Sequence, residues 1–488
     1  MKEKSIKKNI FYSFLRAFFR LIFPLITFPY ASRILLPEGI GKVNFANSIT
    51  TYFSLIALLG IEGYAIREAA KIKDDKEKLS KFTQEILCIN LVSMAVAYIL
   101  FFLSLIFIPK LASYRPLLLV CGTSILFSTL GVDWLFYAKE EFKYTTTSTI
   151  IFQIVGLVYL FLFVKTKDDC LNYAVFSIIT TVGRNICNIL YSRKFVSYKI
   201  QSKLEIKKHL KYIFTFFGMA VITSLYETLD TTVLGFLSTD IEIGYYSAAI
   251  KINRIIVGLL AAIAAVLLPR LAYYKEKCEE KKFQTLCSES INFIILISIP
   301  IVFGLIALAH QMILLFCGEN YNPAIISMKI ISPMVFCMAI SGILGGQILP
   351  AINKEKITLI ACAVGAATNL TLNCILIPNY GAKGAAIGSV IAEYLVMLIE
   401  FVYLRKMFIN KTFIINIIEA TFASIIMYLI IYLLFIKIQS FSIIIQLVIL
   451  IAIGMFVYLM ILLVLQNKLL KKYLLEIKNK IQKKTGGN

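Results

Sequence analysis

Acid is scarce in this chain beside base, and histidine is almost missing. Against 50 Lys and Arg stand 28 Asp and Glu and only two histidines, His209 and His310. Neither histidine falls in a triad or a metal-ligand spacing. The ten cysteines are scattered with no C-x-x-C pair, which argues against a zinc site or a disulfide framework. No G-x-x-x-x-G-K-[ST] run occurs, so a nucleotide phosphate cannot be cradled as in a P-loop ATPase. Acids such as Asp74, Asp75, Glu279 and Glu280 sit in lysine-rich runs and read as solvated charge. Nothing has the pattern of an active site, so the chain is not read as an enzyme. No metal or cofactor is expected.

What the chain has in excess is apolar length. It is 59% hydrophobic, with fourteen apolar segments at 9–32, 43–61, 82–108, 117–137, 144–164, 171–192, 212–237, 244–268, 285–309, 325–349, 357–377, 385–404, 413–436 and 441–466. Most are long enough for a ~30 Å hydrocarbon core, which takes about 20 helical residues. Lipid offers no partner to the backbone, so each segment is expected to be a helix. The basic residues sort by side: 36 of the 50 Lys and Arg lie in the termini and even-numbered connections, and 8 in the odd-numbered ones. Cytoplasmic loops retain positive charge, which places both termini in the cytoplasm. The net charge of +22 is spread over inner connections rather than one face, so retention at an anionic leaflet explains it and nucleic acid does not.

The start, MKEKSIKKNI, has the charge order of a signal peptide, but the apolar run after it is too long and lacks a small-residue cleavage site. It reads as an uncleaved first helix. The connections 62–81 and 193–211 read as basic amphipathic helices on the membrane surface, as does the tail with its stripe Leu470, Tyr473, Leu474, Ile477 and Ile481. One internal echo is visible: Ile40-Gly41 then Ala46 returns 203 residues later as Ile243-Gly244 then Ala249. Six helices per repeat gives both halves the same orientation. The expected organisation is an N-terminal lobe 1–206, a C-terminal lobe 207–410, and 411–488 carrying two further helices and a basic tail.

Charge inside a spanning helix costs a few kcal/mol or more without a partner or a wet cavity. Arg16 and Arg20 are four apart on one face of the first segment, and Arg184 falls near the middle of the sixth. Glu393 is central in the twelfth. Across the hairpin of segments seven and eight, Asp230 and Lys251 reach one depth and Glu227 and Arg254 another, which suggests two stacked acid–base pairs. Asp133 and Glu62 read as interfacial only, and Lys329 as snorkelling. The candidate lining is therefore Arg16, Arg20, Arg184, Lys251 and Arg254 against Glu227, Asp230 and Glu393, net positive and suited to an anionic substrate. Pro24 and Pro29 interrupt the first helix and are candidate hinges.

The stretch FPLITFPYASRILLPEGIGKVNFANSITTYFSLIALLGIEGYAIREAAKIKDDKEKL resembles the opening of bacterial O-antigen and capsule repeat-unit flippases. DWLFYAKEEFKY, LDTTVLGFLSTDIEIGYYSAAIKINRI and YGAKGAAIGSVIAEY resemble the same family, so the likeness runs from residue 11 to about 400. The resemblance implies a MATE-like fold of two six-helix lobes around a cationic central cavity, in the bacterial cytoplasmic membrane. It implies transport of an undecaprenyl-diphosphate-linked oligosaccharide from the inner to the outer leaflet, with proton or sodium coupling and a polysaccharide polymerase complex as possible associations. Rival readings are a multidrug antiporter, which would want an acidic lumen, a membrane glycosyltransferase or polymerase, which would want a sizeable outer loop, and a non-transporting assembly scaffold.

Overall fold

A computed structural model describes residues 6–199, 204–264, 267–408 and 411–472. The tail stripe from Tyr473 onward lies outside them. Every regular element among the described residues is helical. Among the described residues, twelve helical runs are long and apolar enough to cross a membrane. Two are much longer than one crossing needs: Phe11–Lys71 has 61 residues and Glu355–Met407 has 53, and each covers two of the expected segments. Inside them, Leu36 (φ 60°, ψ 176°) and Gly381 (φ 52°, ψ −128°) leave helical geometry. Leu36 precedes Pro37, whose ring disfavours helical geometry in the residue before it. Helix continues through Pro24 and Pro29, so the backbone break of the first run sits at Leu36 and not at the two prolines proposed as hinges.

Large apolar side chains stand exposed on nearly every run, for example Val92, Ile99, Phe102 and Ile106 on one helix and Val448, Met455 and Phe456 on another. A water-soluble surface does not carry so much contiguous apolar area, whereas lipid is its natural solvent.

The chain divides into two compact units. The first comprises 1–247 with 373–382, the second 248–372 with 383–488. In the first, the helix Ile61–Lys71 turns Ile61, Tyr64, Ala65 and Ala69 inward, where they join a core with Leu79, Phe82, Ile86, Trp134, Phe136 and Ile213. Its apolar stripe is thus covered by protein rather than by lipid headgroups, which corrects the surface-helix reading of 62–81. In the connection 193–211, residues 193–199 are turn and irregular backbone and helix begins at Lys207. There Gln84 Nε2 donates to the carbonyls of Ser197 and Lys199 at 2.8 Å, and Ser197 N–H donates to Ser80 Oγ at 2.9 Å. These bonds take up backbone groups that a helix would have paired.

Below that core lies a buried polar triad. His209 Nε2 is 2.8 Å from Glu85 Oε2, and His209 Nδ1 is 2.7 Å from the Tyr64 hydroxyl. The other Glu85 oxygen accepts from the Glu205 N–H at 2.8 Å. The triad ties three separate stretches of chain together. His209→Ala would leave buried Glu85 and Tyr64 short of a partner, at a cost of about 1–3 kcal/mol. The expected outcome is a lowered midpoint in detergent thermal unfolding, and an unchanged midpoint would make the triad dispensable.

In the second unit, the helices Glu280–Cys317, Lys411–Lys437 and Ile443–Val464 pack together. Asn416 Nδ2 donates to Asn292 Oδ1 at 2.8 Å, and Tyr458 OH donates to the Leu296 carbonyl at 2.7 Å. Asn467 Nδ2 donates to Asn416 Oδ1 at 2.8 Å. Lipid offers no hydrophobic drive for helix association, so such bonds and close packing hold membrane helices together.

Candidate functional site

A helix break and an irregular helix turn in the first unit set up its principal charged cluster. The run Arg115–Ala138 breaks after Leu130, and a second short helix, Asp133–Ala138, follows Val132 at φ 42°. In the run Cys170–Ser192 the hydrogen-bond ladder is irregular at Gly183, which keeps helical dihedrals (φ −57°, ψ −37°), and Arg184 follows it. A Cβ at Gly131 would lie 2.5 Å from the Asn185 side chain, so the absence of one lets Asn185 close in. Asn185 Nδ2 then donates to the Phe127 carbonyl at 3.0 Å, serving a group that the break releases.

This arrangement carries Arg184 to Asp133. Arg184 Nη2 donates to Asp133 Oδ2 at 2.5 Å, and Asn188 Nδ2 donates to the other carboxyl oxygen. Arg184 Nη1 is buried without a hydrogen bond among the described residues. Arg16 donates to the Tyr137 hydroxyl and sits 5.3 Å from that ring's centroid. Glu62 lies within electrostatic reach of Asp133, Arg184 and Arg16. Asp133 is therefore the partner of Arg184 rather than an interfacial charge. Two acids and two cations share this region, so its formal charge balances.

The remaining candidates fall as follows. Arg20 is exposed and makes no ion pair among the described residues. Asp230 accepts from the Tyr246 hydroxyl and, at 2.7 Å, from Asn373 Nδ2. Glu227 is exposed. In the second unit, the Lys251 and Arg254 side chains both have accessible surface and lie within electrostatic reach of one another. Glu393 is buried, at 3% exposure.

The 203-residue echo has a structural counterpart inside the first unit. A Cβ on Gly41 would fall 1.8 Å from the Asp240 carbonyl oxygen, and one on Gly244 would fall 2.1 Å from the Pro37 carbonyl oxygen. Pro37 and Asp240 are themselves 203 apart, as are Gly41 and Gly244. The two contacts are thus mirror copies of each other. Asn44 Nδ2 donates to Ser247 Oγ at 2.9 Å, again across 203 residues, at the centre of this reciprocal crossing. Phe45 is fully buried beside it, with its ring 5.0 Å from that of Tyr114 and 5.5 Å from that of Phe236.

The second unit holds an apolar cavity of about 450 Å³, whose lining includes Leu296, Pro300, Gly304, Met427, Gly454 and Met455. Its walls are hydrocarbon almost throughout, which suits an alkyl or prenyl chain and no polar ligand.

Twelve long apolar helices with transporter architecture define a multi-pass membrane protein of the MATE-like transporter fold. Among solved structures, the lipid II flippase MurJ in an inward closed conformation superposes with TM-score 0.74 at 20% identity, covering 94% of this chain and 99% of that one. An inward-facing multidrug resistance MATE family transporter gives 0.60 at 14% identity, over 79% of this chain and 93% of that one. The chain belongs to the polysaccharide biosynthesis protein family, whose model matches residues 6–275. It is similar to the putative O-antigen transporter of Escherichia coli (strain K12), with 25% identity over 82% of this chain and 97% of the relative. It is also similar to the capsular polysaccharide biosynthesis protein CapF of Staphylococcus aureus, with 23% identity over 82% of this chain and the whole of that one.

Proposed function

We propose that this protein is a flippase that carries a lipid-linked oligosaccharide, with an undecaprenyl-diphosphate anchor, from the inner to the outer leaflet of a bacterial cytoplasmic membrane. The observation that carries the reading is a set of cations with accessible side chains in apolar runs, Arg20, Lys251 and Arg254. A charge placed at membrane depth costs about 2.5–3.5 kcal/mol on insertion scales, so its retention calls for a countercharge, a wet path or an anionic ligand. The diphosphate supplies that ligand. The apolar cavity of the second unit would take the prenyl tail while the sugar crosses in water.

In this reading the chain works by alternating access. Arg20 and Arg254 hold the diphosphate, with Arg16, Arg184 and Lys251 close to its route. Glu227, Asp230 and Glu393 balance these cations or exchange a coupling ion, and 1–206 and 207–410 act as the two moving lobes. An inside-negative potential favours outward movement of the anionic headgroup by roughly 2.3 kcal/mol per charge per 100 mV.

The deciding experiment is reconstitution into vesicles with a fluorescent undecaprenyl-diphosphate oligosaccharide. Wild-type protein is expected to exchange the label between leaflets. The pair Arg20→Gln and Arg254→Gln is expected to slow exchange about tenfold or more, a barrier increase of ~1.4 kcal/mol, at unchanged protein content. Absence of exchange by the wild type would make the protein an assembly scaffold. Full exchange by the double variant would remove both arginines from the passage.

A further inference from the structure

Glu400 lies in the second unit at 1% exposure, on the run Glu355–Met407. Its carboxyl rests on a glycine: a Cβ at Gly345 would come within 2.1 Å of Glu400 Oε1. Gly345 belongs to a π-helical turn, Leu344–Ile348. Such turns are uncommon and interrupt the regular hydrogen-bond ladder. Thr358 Oγ1 donates to the Gly345 carbonyl at 3.3 Å. The Thr358 and Ser341 hydroxyls flank the carboxyl.

Two atoms in this pocket are orphans. Glu400 Oε2 and Ser341 Oγ are both buried without a hydrogen bond among the described residues. No lysine or arginine pairs with Glu400 among those residues. An ionised carboxylate would stand there with neutral hydroxyls beside it and no countercharge among the described residues. One proton on Oε2 removes the charge and makes an O–H donor next to the Ser341 and Thr358 hydroxyls.

The position suits proton entry. Glu400 is four residues before Leu404, where the helix ends and Arg405 and Lys406 follow, the cytoplasmic end by the charge asymmetry. The titratable groups facing it are Glu393 on its own helix and Cys362 on the preceding stretch. Glu393 is seven residues away, about two helical turns or roughly 10 Å further from that end.

We propose that Glu400 is a proton-binding site reached from the basic end of its helix, with Glu393 as the next acceptor along the membrane. Its use in coupling rests on the flippase reading; its protonation does not.

The test is labelling of the purified full-length protein with dicyclohexylcarbodiimide, which attacks protonated carboxyls in apolar surroundings, followed by peptide mass spectrometry. Modification of Glu400 is expected in mildly acidic buffer, falling as the pH rises, and unaffected by sodium. Gly345→Ala, whose methyl would push the carboxyl aside, is expected to lower labelling several-fold. Glu400→Gln is expected to abolish it and, in vesicles, to flatten the pH dependence of lipid exchange. No labelling of a monodisperse wild-type sample would overturn the site, and protection by sodium would make it a sodium site instead. Labelling without lipid exchange would count against the flippase reading alone. Exchange without labelling would count against Glu400 alone.

Discussion

Cysteines placed at Asn44 and Ser247 are expected to stop oligosaccharide exchange when oxidised, by about tenfold or more, and to release it on reduction. The reason lies in the reciprocal crossing. Asn44 and Ser247 already touch, with 2.9 Å between their polar atoms, and the backbones around them meet at Pro37–Gly244 and Gly41–Asp240. Glycine at both places lets carbonyls approach where any side chain would collide. Under the proposed function, with both termini cytoplasmic by the distribution of Lys and Arg, this crossing is at the outer end of its helices and has to separate before a bulky sugar can pass. A disulfide there would hold the structure in one of two states, and a transporter confined to one state does not turn over. Each single cysteine variant should be indifferent to oxidant. Unimpeded exchange by the cross-linked protein would mean that this crossing does not open during transport.

The sequence displays some of this chemistry and hides the rest, for identifiable reasons. Glycine repeats are visible because only glycine serves at Gly41 and Gly244, so identity survived at both. The bond they frame is invisible to a search for identities, since Asn44 faces Ser247, two different residues. Apolar length and charge sidedness marked the helices well, because lipid imposes both. Breaks within helices were harder to see. Depth counted along straight helices puts Arg184 near mid-membrane and Asp133 at the rim. The break at Gly131–Val132 and the irregular turn at Gly183 bring them together, and two glycines were the sole local sign. Pro24 and Pro29 stand within continuous helix, while the backbone of the same run leaves helical geometry at Leu36, where the following Pro37 was the local sign. Glu400 was overlooked because it stands near the end of an apolar segment, where a lone acid ordinarily reaches water; its burial depends on a π-turn from another stretch of chain.

The Arg184–Asp133 pair yields the second large effect. Arg184 is 9% exposed and Asp133 26%, so removing either charge leaves the other poorly solvated. Breaking such a pair costs about 3–5 kcal/mol when fully buried, and Asp133's partial exposure places the loss near the lower figure. Asp133→Asn and Arg184→Gln are each expected to cut the amount of folded protein recovered from membranes severalfold. Combined, they remove both charges and are expected to restore that amount. The double variant then separates two roles of Arg184. One fork nitrogen is committed to Asp133, while Nη1 has no hydrogen bond among the described residues, so the guanidinium has donor capacity left that a phosphate could use only if the site opens. If Arg184 contributes to holding the diphosphate, the double variant folds but exchanges lipid about tenfold more slowly. Exchange at the wild-type rate from the well-folded double variant would reduce Arg184 to a structural partner of Asp133, and leave Arg20, Lys251 and Arg254 as the cations that meet the substrate.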